Sequence, residues 1–378
     1  MAFHRRISWV GPLLLAAWSP AGGQARPGDA DTARTVVAAS IDRPTEPSRS
    51  ALPPALTWGG SADLYRSANG RHPDSGRNAL RAFDVVDGHG IRDGLVDFWV
   101  QHARRPIGFR LDFSAGETAR LVNAMEPSRA TAWQYLQQAF VSANLARDGS
   151  TYLDIGKWVT PAGAEVIEPA DNWLSSRGLL FTWAIPFYHA GARLTHSLNA
   201  TDYVALHVNR GWNAVGSPRH GVGFGASAAR AVNDRWTVSA NYLGGEESAV
   251  TGGTEMQHLL DVVALFNASA RWSFSFNSDI ARQASARWYG ISVQAKRALG
   301  ASAFTVRGEL LSDVNGKLLG TPGAQMASVT LGQSIPWGRH AVSRIEVRQD
   351  AADRSVLAAQ GVGGPSQSTL LASFIVKF

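Results

Sequence analysis

The chain of 378 residues has no cysteine, which removes disulfide scaffolds, thiolate metal sites and a cysteine nucleophile. Charge is scarce: 17% of residues are charged, against roughly 25% in an ordinary soluble domain. No stretch approaches the ~20 apolar residues a spanning helix needs, so a helical membrane protein is excluded. Thirty-six Lys and Arg against 30 Asp and Glu leave a formal charge of +6. That charge is evenly spread, with no basic run and no RNA- or DNA-binding motif, so nucleic acid is not an expected partner. What remains is a chain that is 45% apolar, with 38 Gly and 13 Trp. It holds too much apolar surface and too little charge to be disordered.

Residues 1–25 have the pattern of a secretory signal peptide. Arg5 and Arg6 supply the basic region, Ile7 to Trp18 the short apolar region, and Gly23 and Ala25 small residues before a cleavage point. Pro12 and Pro20 argue against a buried helix there. Without this leader, 34 basic groups face 30 acidic ones, about +4. Residues 26–56 carry Pro27, Pro44, Pro47, Pro53 and Pro54 and no apolar period, which reads as a flexible periplasmic linker. Export without cysteine points to the bacterial envelope.

From residue 57 onward the apolar pattern has period two. Trp236, Val238, Ala240 and Tyr242 share one face, and Thr237, Ser239 and Asn241 the other. Trp272, Phe274 and Phe276 oppose Ser273, Ser275 and Asn277; Ile345 and Val347 oppose Arg344, Glu346 and Arg348. Phe304 and Val306 alternate with Thr305, Arg307 and Glu309, and the final segment sets Leu370, Ala372, Phe374, Val376 and Phe378 against Ser373 and Lys377. A soluble sandwich also alternates. Three features favour the inverted, lipid-facing arrangement. The segments run about ten residues, enough to cross an outer membrane when tilted. The connections alternate between short and long. Aromatics stand near segment ends, at Trp58, Trp212, Trp236, Trp272, Trp288 and Phe378, as an interfacial girdle would require.

Segments fall near 58–66, 91–102, 105–114, 133–145, 150–159, 189–198, 203–212, 219–230, 234–244, 257–267, 271–281, 286–298, 302–312, 324–334, 340–349 and 367–378. The expected fold is therefore an all-β transmembrane antiparallel up-and-down barrel of about 16 strands over 57–378, provided that 176–187 is loop. Long connections are expected near 67–90, 115–132, 160–188, 213–218, 245–256, 282–285, 313–323 and 350–366. Lipid offers backbone groups no hydrogen-bond partner, so the ring must close. A ring this wide leaves an aqueous lumen. Its outer face explains the low charge, because a charge at the bilayer midplane costs about 2–4 kcal/mol.

Several local motifs resemble those of Gram-negative outer-membrane porins, most closely the β-barrel porin family of the second type. They are Gly163-Ala-Glu165-Val-Ile-Glu168, Asn172, Ser176-Arg177-Gly-Leu-Leu-Phe181, Pro186-Phe-Tyr-His189-Ala-Gly191, Val208-Asn-Arg-Gly211-Trp212-Asn213 and the terminal Phe378. The specific part is 150–213. Arg210 interrupts the usual Val-Asn-Gly-Trp run, a departure that bears on the local strand register. The resemblance implies a passive channel for small hydrophilic solutes, set in outer-membrane lipid and lipopolysaccharide. It also implies insertion by the barrel-assembly machinery through Phe378, and a homotrimer is a common assembly for such barrels.

The third long connection, 160–188, is the leading functional candidate. It carries Glu165, Glu168, Asp171 and Arg177 together with apolar stretches that would be odd on a solvated loop. The expectation is an inward-folded third external loop, a feature of general porins, with its carboxylates facing wall residues Arg110, Arg193, Arg307, Arg344 and Arg348. Opposed charges there would set ion preference. The bland reading is a cap packed outside the mouth with its charges solvated; separately, an inward wall arginine can equally be neutralised by Asp112, Glu309 or Glu346 as contact a solute. Gly221-Val-Gly-Phe-Gly225 lacks the strand-to-helix setting of a nucleotide loop. His196 and Ser197 are adjacent on a strand and so point to opposite faces, which denies them a nucleophile–base contact. No His spacing matches a metal motif, so neither cofactor nor metal is expected. The competing function classes are a barrel lipase or protease and a loop-plugged structural or adhesive barrel.

Overall fold

The computed structural model describes residues 56–378 except 72, 74–75, 84–89, 105, 127–130, 217–220 and 250–251. The leader and all but the last residue of the expected linker lie outside the described residues. Sixteen strands follow in chain order: β1 (Leu56–Asn69), β2 (Arg92–His102), β3 (Ile107–Ala115), β4 (Leu136–Asn144), β5 (Thr151–Val159) and β6 (Tyr188–Ser197). Then come β7 (Tyr203–Asn209), β8 (Gly223–Ala231), β9 (Trp236–Ser248), β10 (Thr254–Ser269) and β11 (Trp272–Gln283). The ring is completed by β12 (Ala286–Leu299), β13 (Ser302–Asp313), β14 (Ala324–Trp337), β15 (Ala341–Ala352) and β16 (Ser366–Lys377). Each strand pairs with its neighbours in sequence, and β16 pairs antiparallel with β1 from Ser61↔Lys377 to Asn69↔Thr369. Gly60 and Phe378 finish the seam by exchanging backbone hydrogen bonds of 3.1 Å. No strand edge is left open, which is the condition lipid imposes.

The two faces are inverted relative to a soluble protein. Ile345 and Val347 on β15 are each 54% exposed, whereas Arg344, Glu346, Arg348 and Asp350 on the same strand are buried. Leu206, Ile280 and Leu310 likewise look outward while Asp261, Asp279 and Arg307 are fully enclosed. The period-two pattern thus puts apolar side chains toward hydrocarbon and polar ones inside. The segment 176–187 is loop, with one π-helical turn at Leu180–Ala184. Arg210 does not disturb the register: β6 and β7 pair without a shift from Ser197↔Tyr203 to Gly191↔Asn209, and Arg210 falls just past the strand end.

Two expectations need correction. Trp58, Trp272 and Phe378 are exposed as girdle residues should be, and Trp58 lies 6.2 Å from both Phe98 and Phe378. Trp212 and Trp288 are not in the girdle. Trp288 is 1% exposed, meets Trp212 edge-on at 6.4 Å, and donates its indole N–H to the Ala184 carbonyl. Position along the strand suggested the girdle, but parity decides the face, and Trp288 has inward parity between exposed Arg287 and Tyr289. The connections expected to be long near 245–256 and 282–285 are short turns, at 249–253 and 284–285. There the strands themselves run on, β10 to 16 residues, so the length went into hairpin rather than loop.

The long connections lie on one side of the ring, the external side by the usual orientation of such barrels. They fold inward. Leu80, Phe83, Val122, Phe181, Ile185 and Leu357 from four of them pack with inward Leu95, Leu243, Leu259, Trp288, Leu311 and Met326 near the external strand ends. Burying each such side chain contributes roughly 1.5–3 kcal/mol, which outweighs leaving these loops in water.

Candidate functional site

The loop 160–187 leaves β5 and returns to β6, and its ends are tied by the Thr160 amide donating to the Phe187 carbonyl (2.9 Å). From there it crosses the lumen. Asn241 on β9 donates to the Pro161 carbonyl (3.0 Å), and the Ala164 amide donates to Asn277 on β11 (3.2 Å). Asn172 then folds the tip on itself: it accepts from the Val166 amide (2.9 Å) and donates to the Val166 carbonyl (2.8 Å). Farther on, the loop meets β13, β15 and β16 on the far wall.

Contact with that wall is mostly through backbone. Arg344 donates to the carbonyls of Pro169 and Asn172, both at 2.7 Å. Arg348 donates to the Arg177 carbonyl and Arg307 to the Ser176 carbonyl, both at 2.7 Å. In the opposite sense, Glu309 accepts the Leu179 amide (2.8 Å), and Glu346 accepts the amides of Ser175 and Ser176. Ser175 and Ser373 share a hydroxyl hydrogen bond of 2.6 Å.

The structure brings one of the expected carboxylate–arginine pairs together. Glu165 accepts from Arg307, which also lies 3.0 Å from Glu309. The other partners differ. Arg110 is bound by Asp112 on its own strand (2.7 Å), Arg193 by Asp154 on β5 (2.8 Å) and Arg348 by Asp350 (2.6 Å). Arg177 turns back onto its own loop, donating to the Ser175 and Ile167 carbonyls, with its guanidinium 5.7 Å from the Phe181 ring. Asp171 accepts from Lys377 at the end of β16 (2.7 Å).

Glu168 is half-buried on the loop. Burial, reinforced by the nearby carboxylates of Asp97, Asp171 and Asp112, pushes its carboxyl up to about 8. Acidic groups therefore gather on the β2–β3 side of the loop tip, and cationic ones on the β13–β16 side.

Asp154 and Asp350 escaped sequence reasoning, although a signal existed. Arg110/Asp112, Arg307/Glu309 and Arg348/Asp350 share an Arg-x-acid spacing, which on a strand puts both groups on one face. Lys157 was missed too. Its ammonium is buried and donates to Asn123 (2.6 Å) and the Leu136 carbonyl (2.8 Å), holding the second long connection as the arginines hold the third.

A closed sixteen-strand ring with a polar interior, an apolar exterior and an external loop laid across the lumen defines an outer-membrane channel. The profile of the beta-barrel porin-2, OmpL-like family matches residues 55–378. The chain belongs to that family and is an outer-membrane porin. No functionally curated protein matches the sequence. Solved structures of similar fold include an anion-selective porin from Comamonas acidovorans, at 13% identity and TM-score 0.57, covering 85% of this chain and 99% of that one. OprB of Pseudomonas putida is similar at 11% identity and TM-score 0.57, covering 86% and 94%. The outer membrane channel DcaP of Acinetobacter baumannii is similar at 11% identity and TM-score 0.55, covering 85% and 97%.

Proposed function

We propose that the loop 160–187 is the constriction of a passive diffusion channel for small hydrophilic solutes and ions. The observation that carries this is the crossing itself: a loop rooted at β5 and β6 is held by Arg307, Arg344, Arg348, Glu309 and Glu346 on the far wall. Asp97, Asp112 and, above about pH 8, Glu168 lie on one side of the loop tip, Glu165 and Asp171 reach the cations Arg307 and Lys377 on the other, and this uneven charge across the lumen sets ion preference. Replacing Glu165, Glu168 and Asp171 together with Ala moves the reversal potential in a KCl gradient toward anions. An unchanged potential overturns this assignment.

The loop-plugged alternative contributes one feature. The apolar cluster in the external half of the lumen supports a narrow channel, so access for graded neutral polymers should cut off at small size. In this reading the chain is a channel and not an enzyme. His196 fits this: it hydrogen-bonds Thr151 on the adjacent strand (2.9 Å) rather than Ser197. Export through a signal peptide over 1–25, a periplasmic linker over 26–56, and insertion by the barrel-assembly machinery through Phe378 complete the reading. Outer-membrane lipid and lipopolysaccharide surround the barrel. A solved outer membrane protein of Vibrio cholerae with this fold is recorded in a trimer form. A homotrimer is the assembly we propose, checked by chemical cross-linking in the membrane.

A further inference from the structure

Between the tip of the constriction loop and the short turns on the periplasmic side lies a cavity of about 280 Å³. It is bounded by the loop tip at Asn172 and Trp173, by the turns near 270–271, 300–301 and 338–340, and by the end of β16. Its lining is unbalanced. Arg271, Lys296, Arg339, Arg344 and Lys377 contribute five cations, against the single carboxylate of Asp171. That carboxylate is already engaged with Lys377.

Two buried donors among these residues have no acceptor in the described structure. They are the Nε–H of Arg344, a residue 6% exposed, and the indole N–H of Trp173, a residue 7% exposed. Lys296 stands 5.8 Å from the Trp173 ring. Arg344 makes its hydrogen bonds to carbonyls and the Ser175 hydroxyl, and the Glu346 carboxylate two residues on acts on it through space. Beyond the Lys377–Asp171 pair, four cations share this cleft, and the positive potential they set up favours an entering anion. Unpaired buried donors carry a desolvation cost that an acceptor relieves.

We propose that this vestibule is a binding site for small anions with carboxylate or phosphoryl oxygens, reached from the periplasmic side of the constriction. The proposal rests on the channel reading, because it places the site on the solute path. Oxygen atoms accept from Arg344, Lys296 and Trp173 at the inner end, while Arg271 and Arg339 at the turn rim draw the anion in. Attraction at the rim is screened by salt, so occupancy falls as ionic strength rises.

The test uses the full chain in a planar bilayer, with inorganic phosphate and succinate as probes and glucose as the neutral control. Because the chain has no cysteine, an Ala301→Cys variant labelled by a thiol reagent reports which face carries the short turns. Phosphate or succinate added to that face reduces the KCl current in a saturable manner, and glucose does not. Arg271→Ser with Arg339→Ser raises the half-blocking concentration at least ten-fold. Equal block from both faces, no saturation, or an unchanged double variant overturns the site. Tryptophan fluorescence of the detergent-solubilised protein, with Trp173→Phe as reference, reads binding without current. Fluorescence titration without any KCl conductance would overturn the channel and keep the site. Conductance without fluorescence change or block would keep the channel and overturn the site. Block by one probe alone separates phosphoryl from carboxylate recognition.

Discussion

Replacing Arg307 with Met tests the idea that the wall holds the constriction loop by charge-assisted contacts. Arg307 is fully enclosed and donates to Glu165, the Ser176 carbonyl, the Ser176 hydroxyl and Thr330, with Glu309 beside it at 3.0 Å. Methionine fills much of the space but returns none of these bonds. It leaves two carboxylates without their cation. Breaking a buried pair by removing one partner costs about 3–5 kcal/mol. Glu309 keeps the Leu179 amide as a donor and Glu165 keeps Gly178, so the lower end, about 3 kcal/mol, is the appropriate figure. At 1.4 kcal/mol per decade, local opening of the loop becomes roughly a hundred-fold more populated.

Amide exchange reads this directly, because protection of Gly178 and Leu179 tracks the local opening equilibrium. Hydrogen–deuterium exchange of a peptide spanning 175–182 should accelerate about a hundred-fold in the Arg307→Met protein, while peptides from β10 and β11 stay slow. Adding Glu165→Gln should restore part of the protection, because it removes one stranded charge. Exchange unchanged in 175–182, or acceleration spread evenly over the barrel, would show that the loop is held by its apolar packing instead.

Glu168 enters the folded protein with its carboxyl raised to about 8, so the docked loop favours its neutral form. The associated stability is complete below the ordinary glutamate range and is lost as pH rises through about 8. The protection factor of the loop tip, taken relative to the intrinsic exchange rate at each pH, should therefore fall between the ordinary glutamate range and about pH 8, and Glu168→Gln should abolish that fall. Gly156 has φ +143°, and a Cβ there would clash with the Ala139 carbonyl oxygen. Gly156→Ala should destabilise the barrel by about 1–3 kcal/mol, visible as a lower temperature for loss of the folded band on semi-native gels. Val347 faces lipid midway along β15, so Val347→Arg should cost about 2–4 kcal/mol in a bilayer. The measure is denaturant unfolding from vesicles, where a change below 0.5 kcal/mol would contradict the outward assignment.

The barrel was legible because its signal is repeated sixteen times. Ser239 and Asn241 alternate with Val238 and Ala240, and parity alone assigns the faces correctly. Trp288 shows the limit of that reading. Its place near a strand end suggests an interface, and only its parity, set by a register the sequence fixes weakly, reveals that it is internal. The sequence set the loop carboxylates as a group against the wall arginines, and the one such contact formed by Glu165 is with Arg307. Arg110, Arg193 and Arg348 were harder, because each finds a carboxylate on its own or the next strand, and proximity to a loop cannot be read from a strand pattern. Arg344 was harder still, since its acceptors are the carbonyls of Pro169 and Asn172, and carbonyls have no signature in a sequence.

That last point has a physical consequence for how such a lumen is built. A ring of sixteen strands is too wide for its own side chains to fill, so the interior needs inserted backbone, and inserted backbone brings unpaired amides and carbonyls that cost free energy if left dry. Wall residues in Arg-x-acid pairs answer both needs. The guanidinium neutralises its own carboxylate two residues away, as Arg348 does with Asp350, and still has N–H groups for a loop carbonyl. The carboxylate, as in Glu309 and Glu346, has lone pairs left for loop amides. Apart from Glu165, which Arg307 and the Gly178 amide hold, the loop's path is thereby set by its main chain, and side chains at 168 and 171 are left to tune the field. It follows that Glu168→Gln at pH 9 and Asp171→Asn should alter ion preference while leaving exchange of 175–182 at pH 6 unchanged, whereas Glu346→Gln should do the reverse. If both classes of variant move both readouts together, positioning and selectivity are not separable in this channel, and the division of labour argued from the hydrogen bonds is wrong.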